Sequence, residues 1–220
     1  MKAMLLAAGR GERLRPLTDT TPKPLLQAGH RRLIEHHLVH LADAGFTQVI
    51  INTAWLGDQI QRLLGDGSQY RLQIQYSHEG RSALETGGGI FHALPLLGEA
   101  PFLVINADIW SDYPLIRLKD RAMDSLAHLV MVQNPEHHPE GDFGIEANSL
   151  SLDSQPRYTY SGIGIYTPQF FQGCQAGAFP LAPMLREYIH QQRISGEIYS
   201  GEWMDIGTIQ RLEALRDKLV

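Results

Sequence analysis

The sequence predicts an α/β fold built on a mixed, mainly parallel central sheet flanked by helices. Short apolar runs alternate with helix-spaced segments through residues 2–106, and the runs over 2–8, 48–52 and 101–106 are apolar through their centres rather than at every second position. Beyond residue 126 the alternation gives way to strand-like stretches separated by turns, so strand direction is expected to be mixed there. Continuous apolar strands suit a parallel sheet covered on both faces, and strands alternating with helices mark βαβ units. At 220 residues the chain sits near the upper edge of one ordinary domain, so a single domain over 1–220 is expected.

Taken in order, residues 2–8 read as a buried strand running into Gly9. The run is too short to span a membrane, and Arg10, Glu12, Arg13 and Arg15 cut it off before it could serve as a signal peptide. A long loop over 9–25 follows, and loops of that length in compact domains are usually functional or disordered. Helical spacing of Leu33, Ile34, His37, Leu38 and Leu41 predicts a helix over 32–44, closed by Gly45. A strand is expected over 48–52, a short helix over 57–64 stopped by Gly65-Asp66-Gly67, a strand over 72–76, a helix over 89–97 and a strand over 101–106. In the second half, strands are expected over 126–133, 143–146 and 158–166, and helices over 181–192 and 208–219.

Composition narrows the function. The formal charge of −5 argues against binding nucleic acid through an overall basic field, so any phosphate must meet a local site. Cys174 is the only cysteine, which excludes an internal disulfide and a multi-cysteine zinc site and makes the cytoplasm the expected compartment. The chain is expected to act as a monomer on small molecules, without a membrane or nucleic-acid partner.

The most unusual chemistry lies in Leu6-Ala7-Ala8-Gly9-Arg10-Gly11-Glu12-Arg13-Leu14-Arg15-Pro16-Leu17-Thr18, continuing to Thr21-Pro22-Lys23-Pro24-Leu25. Small residues let backbone N–H groups approach phosphate oxygens, while Arg13 and Lys23 add charged donors. Two commoner phosphate motifs fail at named positions: there is no Gly-Lys-Ser/Thr, and Leu14 stands where the dinucleotide fingerprint needs a third glycine. A plain glycine turn with solvated arginines is the competing reading. Asn106-Ala107-Asp108 closes an apolar strand, where open α/β sheets place ligand contacts, although an aspartate there also suits a turn or cap.

The first segment resembles the N-terminal signature of the sugar-1-phosphate nucleotidyltransferases, Gly-x-Gly-x-Arg-Leu-x-Pro-x-Thr followed by Pro-Lys-Pro, and meets every fixed position. The resemblance runs on to Trp203-Met204-Asp205-Ile206-Gly207-Thr208, nearly the whole chain. It implies the GT-A-like, nucleotide-diphospho-sugar transferase version of a Rossmann-like fold, with nucleotide in the N-terminal half, sugar in the C-terminal half and no C-terminal hexapeptide-repeat domain. It implies transfer of a nucleoside monophosphate from a nucleoside triphosphate to a sugar 1-phosphate. Among the family's activities it favours UTP with N-acetylmuramate 1-phosphate, a step of peptidoglycan recycling, and then guanylyl transfer to mannose 1-phosphate or another hexose 1-phosphate.

The residue roles it implies are these. Arg13 and Lys23 are catalytic, with Lys23 read as a loop lysine that contributes little to the core. Leu6, Ala7, Ala8, Gly9, Gly11 and Glu12 join them around the nucleotide, together with Asn106. Glu85, Thr86 and Gly87, in Leu84-Glu85-Thr86-Gly87-Gly88-Gly89, form a loop that packs against the nucleobase and begins a helix. Asp108 and Asp205 share Mg²⁺, and Thr208 rather than Asp205 caps the last helix. Asp142, Gly144, Ser161 and Gly162 face the sugar, while His137 and His138 belong to a solvated loop. A catalytically silent nucleotide-sugar-binding protein would be expected to have lost one of Arg13, Lys23, Asp108 or Asp205, and all four are present.

Overall fold

The computed structural model describes residues 1–80 and 83–219. Its strands and helices follow in the order β1 (Ala3–Leu6), β2 (Gln27–Ala28), β3 (Arg31–Arg32), α1 (Leu33–Asp43), β4 (Gln48–Thr53), α2 (Gly57–Leu64), β5 (Gln73–His78) and α3 (Glu85–Leu97). They continue with β6 (Phe102–Asn106), β7 (Ile109–Ser111), α4 (Ile116–Lys119), β8 (Ala127–Val132), β9 (Phe143–Glu146), β10 (Ser149–Ser151) and β11 (Arg157–Tyr166). The last four are α5 (Ala182–His190), β12 (Ile194–Tyr199), β13 (Trp203–Asp205) and α6 (Ile209–Lys218).

Nine strands form one sheet in the order β5-β4-β1-β6-β11-β8-β12-β10-β9. β5, β4, β1 and β6 run parallel, β11 runs antiparallel between β6 and β8, and β12 returns parallel to β8. The mixed second half expected from sequence is therefore present. Side chains alternate between two apolar layers: Ala3 and Leu5 of β1 belong to the layer that includes α1 and α2, whereas Met4 belongs to the layer that includes α3 and α5. Leu103 and Ile105 of β6 join the first layer, and Phe102 and Val104 the second. Burial on both faces is what the continuous apolar runs require. Among the described residues no helix is long and apolar enough to cross a membrane.

Sequence reading missed β12, β7 and β13. β12 reads Ile-Ser-Gly-Glu-Ile-Tyr, with a glycine and a charge inside it, and its identity comes from pairing along the whole length of β8. β7 and β13 have three residues each and define one another, Trp203 against Ser111 and Asp205 against Ile109. The expected long loop over 9–25 is instead a series of 3-10 turns at Glu12–Leu14, Leu17–Asp19 and Lys23–Leu25. Leu14 anchors it, fully buried with Leu26, Leu33, Ile206, Leu212 and Leu215 beneath α6. Burying one such side chain contributes roughly 1.5–3 kcal/mol, and Leu25, packed in the layer of α1 and α2, anchors the loop's other end.

Candidate active site

The chain runs from β1 outward to β4 and β5, then returns to place β6 on β1's other side. That reversal opens a crevice beyond the carboxyl ends of β1 and β6, where open α/β sheets bind ligands. Leu6 and Asn106 end the two strands in register. A cavity of about 410 Å³ opens there, lined by Leu6, Ala7, Ala8, Gly9, Gly11, Glu12, Arg13, Lys23, Glu85, Thr86, Asn106 and Asp108 from the expected set.

Local geometry explains the glycines of the first wall. Gly11 has φ +66, and a Cβ there would stand 2.9 Å from Thr18 Cγ2 and 3.1 Å from Lys23 Cβ. Glycine thus allows both the turn and the lysine's passage through it. A Cβ on Gly9 would meet no protein atom within 4 Å, so its missing side chain widens the cavity mouth. Thr18 Oγ1 donates to the Gly11 carbonyl at 2.8 Å and ties the loop back on itself. Arg13 is exposed. Lys23 is only 7% exposed, and its Nζ donates to Asp108 Oδ2 at 2.7 Å. The expectation of a loop lysine outside the core is corrected: this lysine threads the base of the site.

A second cavity, of about 370 Å³, adjoins the first. Asn106 and Asp108 line both, and Thr159, Tyr160, Ser161, Trp203 and Asp205 complete much of the second. The β7–β13 pair carries Asp205 beside the strand that follows Asp108, with Ile206 N donating to the Asp108 carbonyl at 2.7 Å. Asp205 Oδ1 pairs with Arg211 at 2.9 Å and with His137 at 3.1 Å. His37 backs this region; burial pushes its imidazole down to about 4, so it stays neutral and adds no charge behind Asp108.

Residues 2–219 match the nucleotidyl transferase family. The chain belongs to that family. It is 50% identical over 222 residues to an N-acetylmuramate alpha-1-phosphate uridylyltransferase of Neisseria meningitidis serogroup B, covering 97% of this chain and 96% of that one. It is 32% identical over 237 residues to the enzyme of the same name from Caulobacter vibrioides, covering 99% and 96%. In fold it is similar to a putative glucose-1-phosphate thymidylyltransferase from Bacillus anthracis, with a TM-score of 0.87 at 21% identity, covering 100% of this chain and 95% of that one.

Within this nucleotidyl transferase, some expected site residues lie elsewhere. Gly87 lines neither cavity; a Cβ there would stand 2.6 Å from the Phe179 ring, and Gly88 N donates to the Phe179 carbonyl at 3.0 Å. Glu85-Thr86-Gly87 is the first turn of α3, which starts four residues earlier than its spacing predicts, and the glycines admit the chain that crosses it. Asp142 is also outside the cavities: its Oδ2 accepts from Tyr160 N at 2.7 Å and its Oδ1 faces His138 at 3.2 Å. It satisfies backbone where β11 shifts register against β8 between Tyr160 and Gly164. Gly144 lies against Ser154, and Gly162, at φ +82, makes room for the Asn106 side chain. Ser161 does line the second cavity, with its hydroxyl accepting from Ile163 N at 3.1 Å. His137, read as solvated, is drawn onto Asp205. Thr208 caps α6 as expected, accepting from Arg211 N at 3.3 Å.

Sequence reading also missed Asn52 and Glu79, which line the first cavity at the ends of β4 and β5. Asn52 accepts from Ala7 N at 2.7 Å and donates to Glu79 at 2.6 Å, while Glu79 Oε2 accepts from Leu84 N at 2.7 Å. This buried network braces the segment that follows β1 against the start of α3. The available signal was position, since Asn52 ends its apolar strand as Asn106 does.

Gly89 faces that network. Its replacement by alanine would offer about 1 kcal/mol of helix propensity, but the added Cβ collides with the Glu79 carboxylate and comes within 3.0 Å of Asn52 Nδ2. Disrupting a buried charged hydrogen bond costs about 2 to 3 kcal/mol, so the collision wins. Gly89→Ala is expected to lower the melting temperature by about 2 to 8 °C in a thermal scan. An unchanged or raised midpoint would mean that Glu79 moves aside freely.

As for metals, among the described residues no group of three or more His, Cys, Asp or Glu is placed to hold one. Two carboxylates at one cavity suit only a hard cation completed by substrate oxygens and water, which is how Mg²⁺ usually binds. The donors present therefore fit Mg²⁺ arriving with a phosphorylated substrate.

Proposed function

We propose that this protein transfers uridylate from UTP to N-acetylmuramate 1-phosphate, giving the UDP-sugar and pyrophosphate. The observation that carries the transfer is the Lys23–Asp108 pair, set where the two cavities share a wall. The choice of base and sugar rests on 50% identity over nearly the full length of the Neisseria uridylyltransferase. In this reading the first cavity takes the nucleotide and the second the sugar.

An oxygen of the sugar phosphate attacks the α-phosphorus in line; that P–O bond forms as the bond between α-phosphorus and the bridging oxygen breaks, and pyrophosphate leaves with the electron pair. The barrier lies in bringing anions together, so positioned positive charge is the main lever. Lys23 neutralises the reacting phosphates from below, and Arg13, exposed at the rim, gathers the departing pyrophosphate. Asp108 and Asp205 would hold Mg²⁺, whose contribution there is further neutralisation of phosphoryl charge.

Arg13→Lys is expected to lower kcat/KM about tenfold, because a point charge does not reproduce a bidentate guanidinium, with no change in melting temperature at an exposed position. Stopped pyrophosphate-release assays read the first and a thermal scan the second. The test of the proposal itself is a pyrophosphate-release panel crossing UTP, GTP, dTTP and CTP with N-acetylmuramate, N-acetylglucosamine, mannose and glucose 1-phosphates. UTP with N-acetylmuramate 1-phosphate should give the highest kcat/KM. Preference for GTP with mannose 1-phosphate would overturn the substrate assignment.

A further inference from the structure

Asp205 is held from one side only. Its Oδ1 takes both the Arg211 guanidinium at 2.9 Å and the His137 ring at 3.1 Å, and those two side chains also touch each other. Its Oδ2 accepts no hydrogen bond among the described residues, and it lies 3.2 Å from where a Cβ on Gly207 would stand. Gly207 lines the first cavity.

Arg211 is not a solvated surface arginine. It rises from the first turn of α6, three residues after the Thr208 cap, with its side chain 19% exposed and its Nε buried without a partner. Its guanidinium occupies the space a side chain at 207 would fill, since a Cβ there collides with the terminal nitrogen. Glycine at 207 thus clears the path by which Arg211 reaches back to Asp205.

We propose that Arg211, with His137 beside it, is a positioning residue: it fixes one oxygen of Asp205 and leaves Oδ2 free to take the divalent cation. This rests on the reading of Asp205 as a metal ligand. Carboxylate ligands are commonly oriented by a second hydrogen-bonding partner, and loss of that partner lowers metal affinity about 10- to 100-fold. A guanidinium that merely competed for the carboxylate would act with the opposite sign, because its removal would take away a repelling positive charge and tighten cation binding.

The sign is therefore the test. Mn²⁺, standing in for Mg²⁺, is titrated by electron paramagnetic resonance into the full chain with UTP present. Arg211→Gln should weaken Mn²⁺ binding about tenfold or more, Arg211→Lys should restore part of it, and Arg211→Gln combined with Asp205→Asn should bind no worse than Asp205→Asn alone. Unchanged or tighter binding by Arg211→Gln, with Asp205→Asn weakened, overturns the positioning role and leaves Asp205 as ligand. Parent-like binding by Asp205→Asn overturns the ligand reading and the proposal with it. If Arg211→Gln does not fold, His137→Gln carries the comparison from a loop whose side chain is 46% exposed; weaker binding supports the proposal, and equal or tighter binding overturns it.

Discussion

Lys23→Ala is expected to reduce turnover about 10²- to 10³-fold, the usual cost of deleting one preorganised charged donor at a developing anion. That corresponds to about 3 to 4 kcal/mol of barrier. The same change also costs stability, because the lysine is 7% exposed and its stem passes against Gly11. Three lost methylenes at about 0.8 kcal/mol each set an upper bound of about 2.4 kcal/mol, and relief from burying an ammonium offsets part of it. Lys23→Met separates the two effects. Methionine keeps most of the stem, so its melting temperature should return toward the parent's while turnover stays low in a pyrophosphate-release assay. A Lys23→Met protein with parental turnover would remove Lys23 from the chemistry.

The split between what sequence conveys and what it hides follows interaction range. α2 at Gly57–Leu64 and β9 at Phe143–Glu146 match their expected bounds, because glycine stops and local periodicity define them. The gathering of Gly9, Gly11, Glu12, Arg13 and Lys23 around one cavity was legible because these residues lie in one contiguous segment. Glu79 was not, since its meaning lies in hydrogen bonds to Asn52 and Leu84 that form only when β4, β5 and α3 come together. Asp142 misled for the same reason in reverse: a carboxylate beside glycines reads as free to bind, yet the register shift in β11 leaves it the N–H of Tyr160 to satisfy. Gly89 was legible as the start of a helix, but the four residues before it were not, because the packing of Phe179 and Gly177 against Gly87 and Gly88 comes from a segment about ninety residues away.

Asp108→Asn tests the other half of the site with a substitution that keeps size and shape. The backbone carbonyl at 108 still accepts from Ile206 N, so the β7–β13 pair that carries Asp205 stays in register. The amide oxygen can still accept from Lys23 Nζ, which the parent carboxylate meets at 2.7 Å. The side chain of Asp108 is 45% exposed, and water screens the lost charge, so the pair is worth no more than about 1 kcal/mol. For a chain of this size that is about 2 to 4 °C of melting temperature. Against this small structural cost, turnover should fall about 10²-fold or more, with half-saturation by Mg²⁺ moving to higher concentration, because the proposed metal site would lose one of its two carboxylates and leave substrate oxygens to hold the cation with less help. Initial rates across a Mg²⁺ series, beside a thermal scan, measure both. A parental Mg²⁺ curve with parental turnover would take Asp108 out of the metal site, whereas a melting loss several times the expected value would assign the residue to the fold through its hold on Lys23.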